Sequence, residues 1–305
     1  MKRTATFLSL LRRTATAFSD DNAFKLSASL SYYTVFAMGP LLFIIISLSG
    51  FFYGNEAMQG RIYEELKGLI GGDAALQVQN VIANASRDYD STTGAIIGTV
   101  ILFIGATGVF TEIQSSINYI WSVKAKPRRG WLKYLGDRLL SFSLVVGLGF
   151  LLMVSLIMNA LLAFVNSRIL ERFPDVQYLD LLNTLIILLI ITALFAVIYK
   201  ILPDAKIAWR DAWVGSAFTA VLFLIGKFLI GFYMKNSSIG VVYGAAASIV
   251  VILVWVYYSS MILYFGAEFT KVYALHHGQG IRPKSTAVFI IKQEAKEVPP
   301  SKLNG

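Results

Sequence analysis

Val241-Val242-Tyr243-Gly244 opens, and Gly266-Ala267-Glu268-Phe269 closes, a run of roughly 28 residues that carries no charge before Glu268. At about 1.5 Å per residue it is long enough to cross a hydrocarbon core of about 30 Å with some tilt. A segment in lipid has no water to satisfy its backbone, so it must be a helix. On a helical wheel Tyr243, Val250, Tyr257, Met261, Tyr264 and Glu268 share one face. A stripe of tyrosines ending in a carboxylate does not suit lipid, so this face is expected to pack against partner helices. The alternative, tyrosines as interfacial anchors, suits Tyr243 and Tyr264 but not Tyr257 near mid-depth.

Working outward, the whole chain has the same character. Of its 305 residues 56% are hydrophobic and only 15% charged, with a mean hydropathy of +0.64. Soluble chains carry about 25% charged residues, so the composition is that of a membrane protein. Five further apolar stretches, at about 27–52, 93–121, 138–165, 178–200 and 210–234, give six spans with the run at 241–269. The first begins near Leu26, is too long for the core of a cleaved leader and lacks a small-residue cleavage site, so it is expected to be retained. The net charge of +9 needs no nucleic acid, because basic residues gather on the cytoplasmic side of multi-span proteins. The N-terminus, the loops after spans two and four and the C-terminal tail hold 20 basic residues, the opposite side 6. An all-α, polytopic membrane bundle with both termini cytoplasmic follows.

The expected organisation is a cytoplasmic amphipathic segment (1–25), a six-span membrane domain (26–273) and a polar cytoplasmic tail (274–305). Within the first, Phe7, Leu11, Thr14 and Phe18 recur at helical spacing, fitting a helix on the membrane surface or a cytoplasmic cap. The connection 53–92 is acidic and broken by Gly71-Gly72, which reads as a small external helical subdomain. Gly39-Pro40 falls near the middle of the first span, where proline removes a backbone hydrogen bond and kinks the helix; it is the expected hinge. Gly94-x-x-x-Gly98 opens the second span with small residues that allow close helix approach. A faint echo of Val100–Gly105 in Val221–Gly226 would fit an inverted repeat, although apolar runs echo one another by chance. The residues beyond Ile291 are expected to be disordered.

Ionisable groups inside membrane segments are costly and therefore functional candidates. Glu112 and Glu268 lie near the inner ends of their spans, where a carboxylate facing basic loops is the ordinary structural alternative. Lys227 lies about 10 Å deep, within snorkelling reach of the surface. Asp180, at the outer start of span four, is its best-placed counter-charge. With Tyr257 and Tyr264 these four make up the expected substrate path. No metal site is expected, since His276-His277 are adjacent rather than a turn apart, and cysteine is absent altogether. No cofactor is expected. Neither H-E-x-x-H nor G-x-S-x-G occurs, so the chain is not expected to be an enzyme.

Leu30-Ser31-Tyr32-Tyr33-Thr34 before Gly39-Pro40-Leu41-Leu42, Tyr199-Lys200-Ile201-Leu202-Pro203 before Trp209-Arg210-Asp211, and Tyr243-Gly244, Trp255, Tyr257 and Gly266-Ala267-Glu268 together resemble the YihY / virulence factor BrkB family. The similarity runs from about residue 20 to 273. It implies a six-span bacterial inner-membrane protein. An old ribonuclease BN label on the family is regarded as a misassignment, in keeping with the missing ligand set here. The family supplies no catalytic residues to carry over, and transport of a solute or lipid is its usual suggestion. The expected function is thus a translocator of a small solute or lipid, the alternative a non-transporting scaffold or envelope-stress protein, and a nuclease or other hydrolase the least favoured. Expected partners are the bilayer and a lipid or small-molecule substrate, without nucleic acid; a homo-oligomer stays open.

Overall fold

The structure, a computed structural model, describes residues 7–37, 108–126, 177–236, 247–278 and 280–292, with single helical positions at 72, 76, 79 and 243. The Gly39-Pro40 hinge, Gly94-x-x-x-Gly98, the third span and nearly all of the 53–92 subdomain lie outside the described residues.

In chain order the elements are α1 (Phe7–Asp20), α2 (23–37), α3 (108–120), β1 (Val123–Ala125), α4 (Gln177–Ile201), β2 (Ala205–Lys206), α5 (Trp209–Asn236), α6 (Ala247–His277), β3 (Arg282–Pro283) and β4 (Ala287–Phe289). The described chain is mostly helical, as its apolar runs require. Among the described residues two helices are long and apolar enough to cross a membrane, Trp209–Tyr233 in α5 and Ile249–His277 in α6; Ile187–Ile201 in α4 is shorter. Bulky side chains such as Leu189, Ile225, Phe228, Leu229 and Phe232 lie exposed along α4 and α5, the outward face that apolar helices turn to lipid.

α5 is the central packing element, touching α4 and α6. It meets α6 antiparallel through a reciprocal pattern. Gly215 of α5 faces Thr270 of α6, and Gly266 of α6 faces Thr219 of α5, so Gly-x-x-x-Thr on one helix meets Gly-x-x-x-Thr on the other. A Cβ on Gly215 would stand 1.9 Å from Thr270 Oγ1, and one on Gly266 would stand 1.9 Å from Thr219 Oγ1. Each threonine hydroxyl donates 2.7 Å back to the carbonyl of the glycine one turn before it, so neither of these two donors is left unused. Small residues let the backbones approach until dispersion holds them, as in lipid they must. Phe218 stacks on Phe269 at 3.9 Å beside this seam.

α1 buries Leu10, Thr14 and Phe18, one residue per turn, and packs on α6. Phe7 and Leu8 remain exposed. α1 hands over to α2 through Asn22, whose φ of 52° is the left-handed conformation that asparagine tolerates.

The sequence reading contains no strands, and here the structure adds to it. β1 pairs antiparallel with β4, and β2 with β3, in two short ladders. α6 continues to His277, three residues past the expected start of the polar tail at 274. The chain then turns at Gly280 (φ 74°), and residues 282–289 run back across the segments that follow α3 and α4. A ladder needs only backbone groups, so pairing of two- and three-residue strands leaves almost no mark in side-chain pattern. The largest buried cluster sits beside these ladders, around Ile117, Trp121, Tyr199, Leu202, Tyr264 and Ala267.

Candidate functional site at the ladder end of the bundle

Four charged groups from three distant parts of the chain meet where α1, α6 and the C-terminal strand segment converge. Glu268 is fully buried. Its Oε2 lies 3.2 Å from Lys271 Nζ, one turn on, and the same ammonium lies 3.2 Å from Asp21 Oδ2 in the α1–α2 junction. Lys292 closes the set with Nζ 2.6 Å from Asp21 Oδ1 and 4.0 Å from the centre of the Tyr119 ring. Two carboxylates and two ammoniums balance, which is the condition for keeping charge away from water. Glu268 Oε1 accepts no hydrogen bond from the described residues while both carboxyls are ionised. The two acids are close enough to hydrogen bond to one another, which requires one shared proton.

Asp21 lies outside the membrane-spanning helices, and opposing influences set its acidity. Burial pushes it up, but the hydrogen bonds with Glu268 and Lys292 and the charges of Lys271 and Lys292 outweigh burial and hold it below its usual 3.8. A carboxyl depressed by folding contributes stability that is present above its unfolded pKa and lost as pH falls through the folded one. The melting temperature is therefore expected to fall as pH drops below ~4, and Asp21→Asn to flatten that dependence. Thermal unfolding followed from ~pH 6 to ~pH 3 checks this; an unchanged slope in the variant would remove the role.

One turn before Glu268 on α6, Tyr264 is also fully buried, beside Ser116 of α3. Its hydroxyl lies beside Ser116 Oγ, which itself donates to Glu112 Oε1 at 3.3 Å. The structure thus brings Glu112, Tyr264 and Glu268 of the expected path into one seam between α3 and α6. It does not bring the others there. Tyr257 sits on α6 seven residues from Tyr264, about 10 Å along the axis. Lys227 is half-buried on α5 beside Gly226, at the level of Tyr258 and Ile262. Asp180 falls in α4.

Several residues that fix this seam carry no charge pattern by which sequence could find them. The Tyr199 hydroxyl donates 2.7 Å to the Leu263 carbonyl and lies 3.2 Å from Thr219 Oγ1. Trp121 Nε1–H donates 3.0 Å to the Ala267 carbonyl, one turn further along α6. Asn118 and Asp204 bond reciprocally: Asn118 Nδ2 donates 3.0 Å to Asp204 Oδ2, and the Asp204 N–H donates 2.8 Å to Asn118 Oδ1. Lys284 N–H donates 2.9 Å to the Asp204 carbonyl, tying the β3 segment to the same knot.

The relatives of this chain are named as membrane proteins, which makes it an integral membrane protein, and the two long apolar helices among the described residues agree with that class. It belongs to the virulence factor BrkB family, which it matches over residues 14–289. A UPF0761 membrane protein of Pseudomonas aeruginosa (strain LESB58) is 31% identical over 258 residues, covering 82% of this chain and 59% of the relative. One of Saccharophagus degradans is 27% identical over 258 residues (84% and 58%), and one of Vibrio campbellii 29% over 248 (79% and 74%). The chain thus spans about 59% of the Pseudomonas relative's length. No solved structure matches it.

Proposed function

We propose that the chain is a translocator of a small solute or lipid in a bacterial inner membrane, crossing it six times with both termini cytoplasmic and performing no catalysis. The observation that supports this reading best is the pair Tyr264 and Glu268. Both are fully buried on an apolar helix, the Tyr264 hydroxyl beside Ser116 and Glu112 and the Glu268 carboxyl beside Asp21 and Lys271. Polar and ionisable groups are costly in a membrane interior, and a fold that buries two of them one turn apart has a use for them beyond packing. On this reading the ladder end is the cytoplasmic end, and the Asp21–Lys271–Glu268–Lys292 cluster closes it.

A second reading has its own support. Lys271 already neutralises Glu268, so the buried charge also serves a sealed, non-transporting scaffold. Proteoliposomes distinguish the two. Headgroup-labelled fluorescent phospholipid exposed to an impermeant quencher reads lipid movement, and radiolabelled amino acids and sugars read solute uptake. The translocator reading expects movement above protein-free vesicles, lowered at least about tenfold by Glu268→Gln or Lys227→Met, the scale of losing one polar contact of ~1.4 kcal/mol. No movement with any probe favours the scaffold; movement unchanged in both variants removes those two residues from the route.

A further inference from the structure

The second ladder gathers cations that the bundle does not neutralise. Lys206 and Arg282 are direct partners across β2–β3, and both are exposed. Lys200, in the last turn of α4, donates to the Ile207 carbonyl and lies 5.3 Å from the centre of the Trp209 ring. Lys284 Nζ donates 3.2 Å to the Ile201 carbonyl, and Arg210 is exposed at the start of α5. Among the described residues none of these five cations makes an ion pair. Two carboxylates stand near the five cations: Asp204, beside Lys284, which already accepts from Asn118 and Gln114, and the buried Asp211, beside Arg210. Burial lowers the pKa of Lys284; the nearby Asp204 offsets part of that and the charge of Lys200 adds to it.

The level of the cluster identifies the missing anion. The apolar stretch of α5 begins at Trp209, and Trp209, Trp213 and Ile201 are exposed around its start. Tryptophans at the end of a span mark the headgroup level of a bilayer, where phosphodiesters supply negative charge.

We propose that Lys200, Lys206, Arg210, Arg282 and Lys284 form a binding site for the phosphate of an anionic glycerophospholipid, whose acyl chains lie along the exposed start of α5. Arg282 offers a planar fork suited to phosphate oxygens, and the lysines offer point charges. Pairing of β3 with β2 builds the site, since Arg282 and Lys284 reach it only when the C-terminal segment has folded back. The site does not depend on translocation; a scaffold would use it equally.

The test is native mass spectrometry of the full chain in detergent, titrated with phosphatidylglycerol or phosphatidylcholine. Phosphatidylglycerol is expected to bind at least about tenfold tighter, since each basic residue near an anionic headgroup strengthens binding about fivefold. Lys206→Gln/Arg282→Gln is expected to abolish most of that preference, while the charge-keeping Lys206→Arg/Arg282→Lys retains it. Arg12→Gln/Arg13→Gln, which removes the same charge from exposed positions of α1, is expected to leave the preference unchanged. Inorganic phosphate in large excess is expected not to displace the lipid. Equal loss in both neutralised pairs would mean diffuse attraction and overturn the site. Absence of any preference, or displacement by free phosphate, would overturn it as well.

Discussion

Lys271→Met is expected to destabilise the protein by about 3–5 kcal/mol, the cost of leaving one half of a buried ion pair behind. Glu268 has no exposed surface, and its only ammonium neighbour among the described residues is Lys271, at 3.2 Å. Removing that ammonium leaves Glu268 without a counter-charge among the described residues, so it stays ionised at a cost or must take up a proton, and it strips Asp21 of one of its two lysines. Lys292→Met is expected to cost about 1 kcal/mol or less, because its pairing with Asp21 is partly open to solvent. Adding Glu268→Gln to Lys271→Met removes the stranded charge and is expected to recover most of the loss, since buried pairs replaced together are often near neutral. Denaturant or thermal unfolding in detergent gives all three values. A Lys271→Met protein within about 0.5 kcal/mol of wild type would show the pairing to be energetically idle.

Gly215→Ala carries the second large effect. Its Cβ would stand 1.9 Å from Thr270 Oγ1 and 2.8 Å from Thr270 Cβ, far inside contact distance, so α5 and α6 must separate. Overpacking of this kind costs about 1–3 kcal/mol. The three atoms nearest that position all belong to Thr270, so Gly215→Ala/Thr270→Gly is expected to restore the approach and most of the stability. Gly231, four turns along the same helix, is the control, with nothing within 4 Å of its Cβ position. There alanine is expected to be neutral or stabilising by up to about 1 kcal/mol, through helix propensity alone. Equal effects at positions 215 and 231 would mean the Gly–Thr seam does not set the spacing of the two helices.

The class of the fold was legible in sequence because hydropathy is a local property. Twenty uninterrupted apolar residues are a helix whatever lies around them, and α5 and α6 appear close to where their runs predict. The same locality explains why Glu268, Tyr264 and Glu112 could be singled out, each being a polar group inside such a run. Their partners were not legible. Asp21 meets Lys271 across 250 positions and Lys292 across 271, and no spacing rule reaches that far. The Gly-x-x-x-Thr pattern occurs in both helices in plain view, at 215–219 and 266–270. Small residues are common in membrane helices, though, and only the structure shows that the two patterns face each other. Pro203 and Gly266, which carry part of the family resemblance, prove to be packing residues: both are buried, and Gly266 has the Tyr199 hydroxyl 2.5 Å from its Cβ position. The tail hid its ordered part because strands of two and three residues fall below any periodicity.

Everything said of the charged cluster requires the chain after α6 to fold back and deliver Lys292 to Asp21. The absence of native cysteine makes this directly measurable. In the β1–β4 ladder Lys126 N–H donates to the Thr286 carbonyl and Ile290 N–H to the Ser122 carbonyl, so Ala125 and Ala287 form a non-hydrogen-bonded pair, the closer kind. Ala125→Cys/Ala287→Cys in membranes under mild oxidant is expected to form an intramolecular disulfide in nearly every molecule, with Ala125→Cys/Ile291→Cys remaining reduced. A first pair that cross-links no better than the displaced pair would contradict the account.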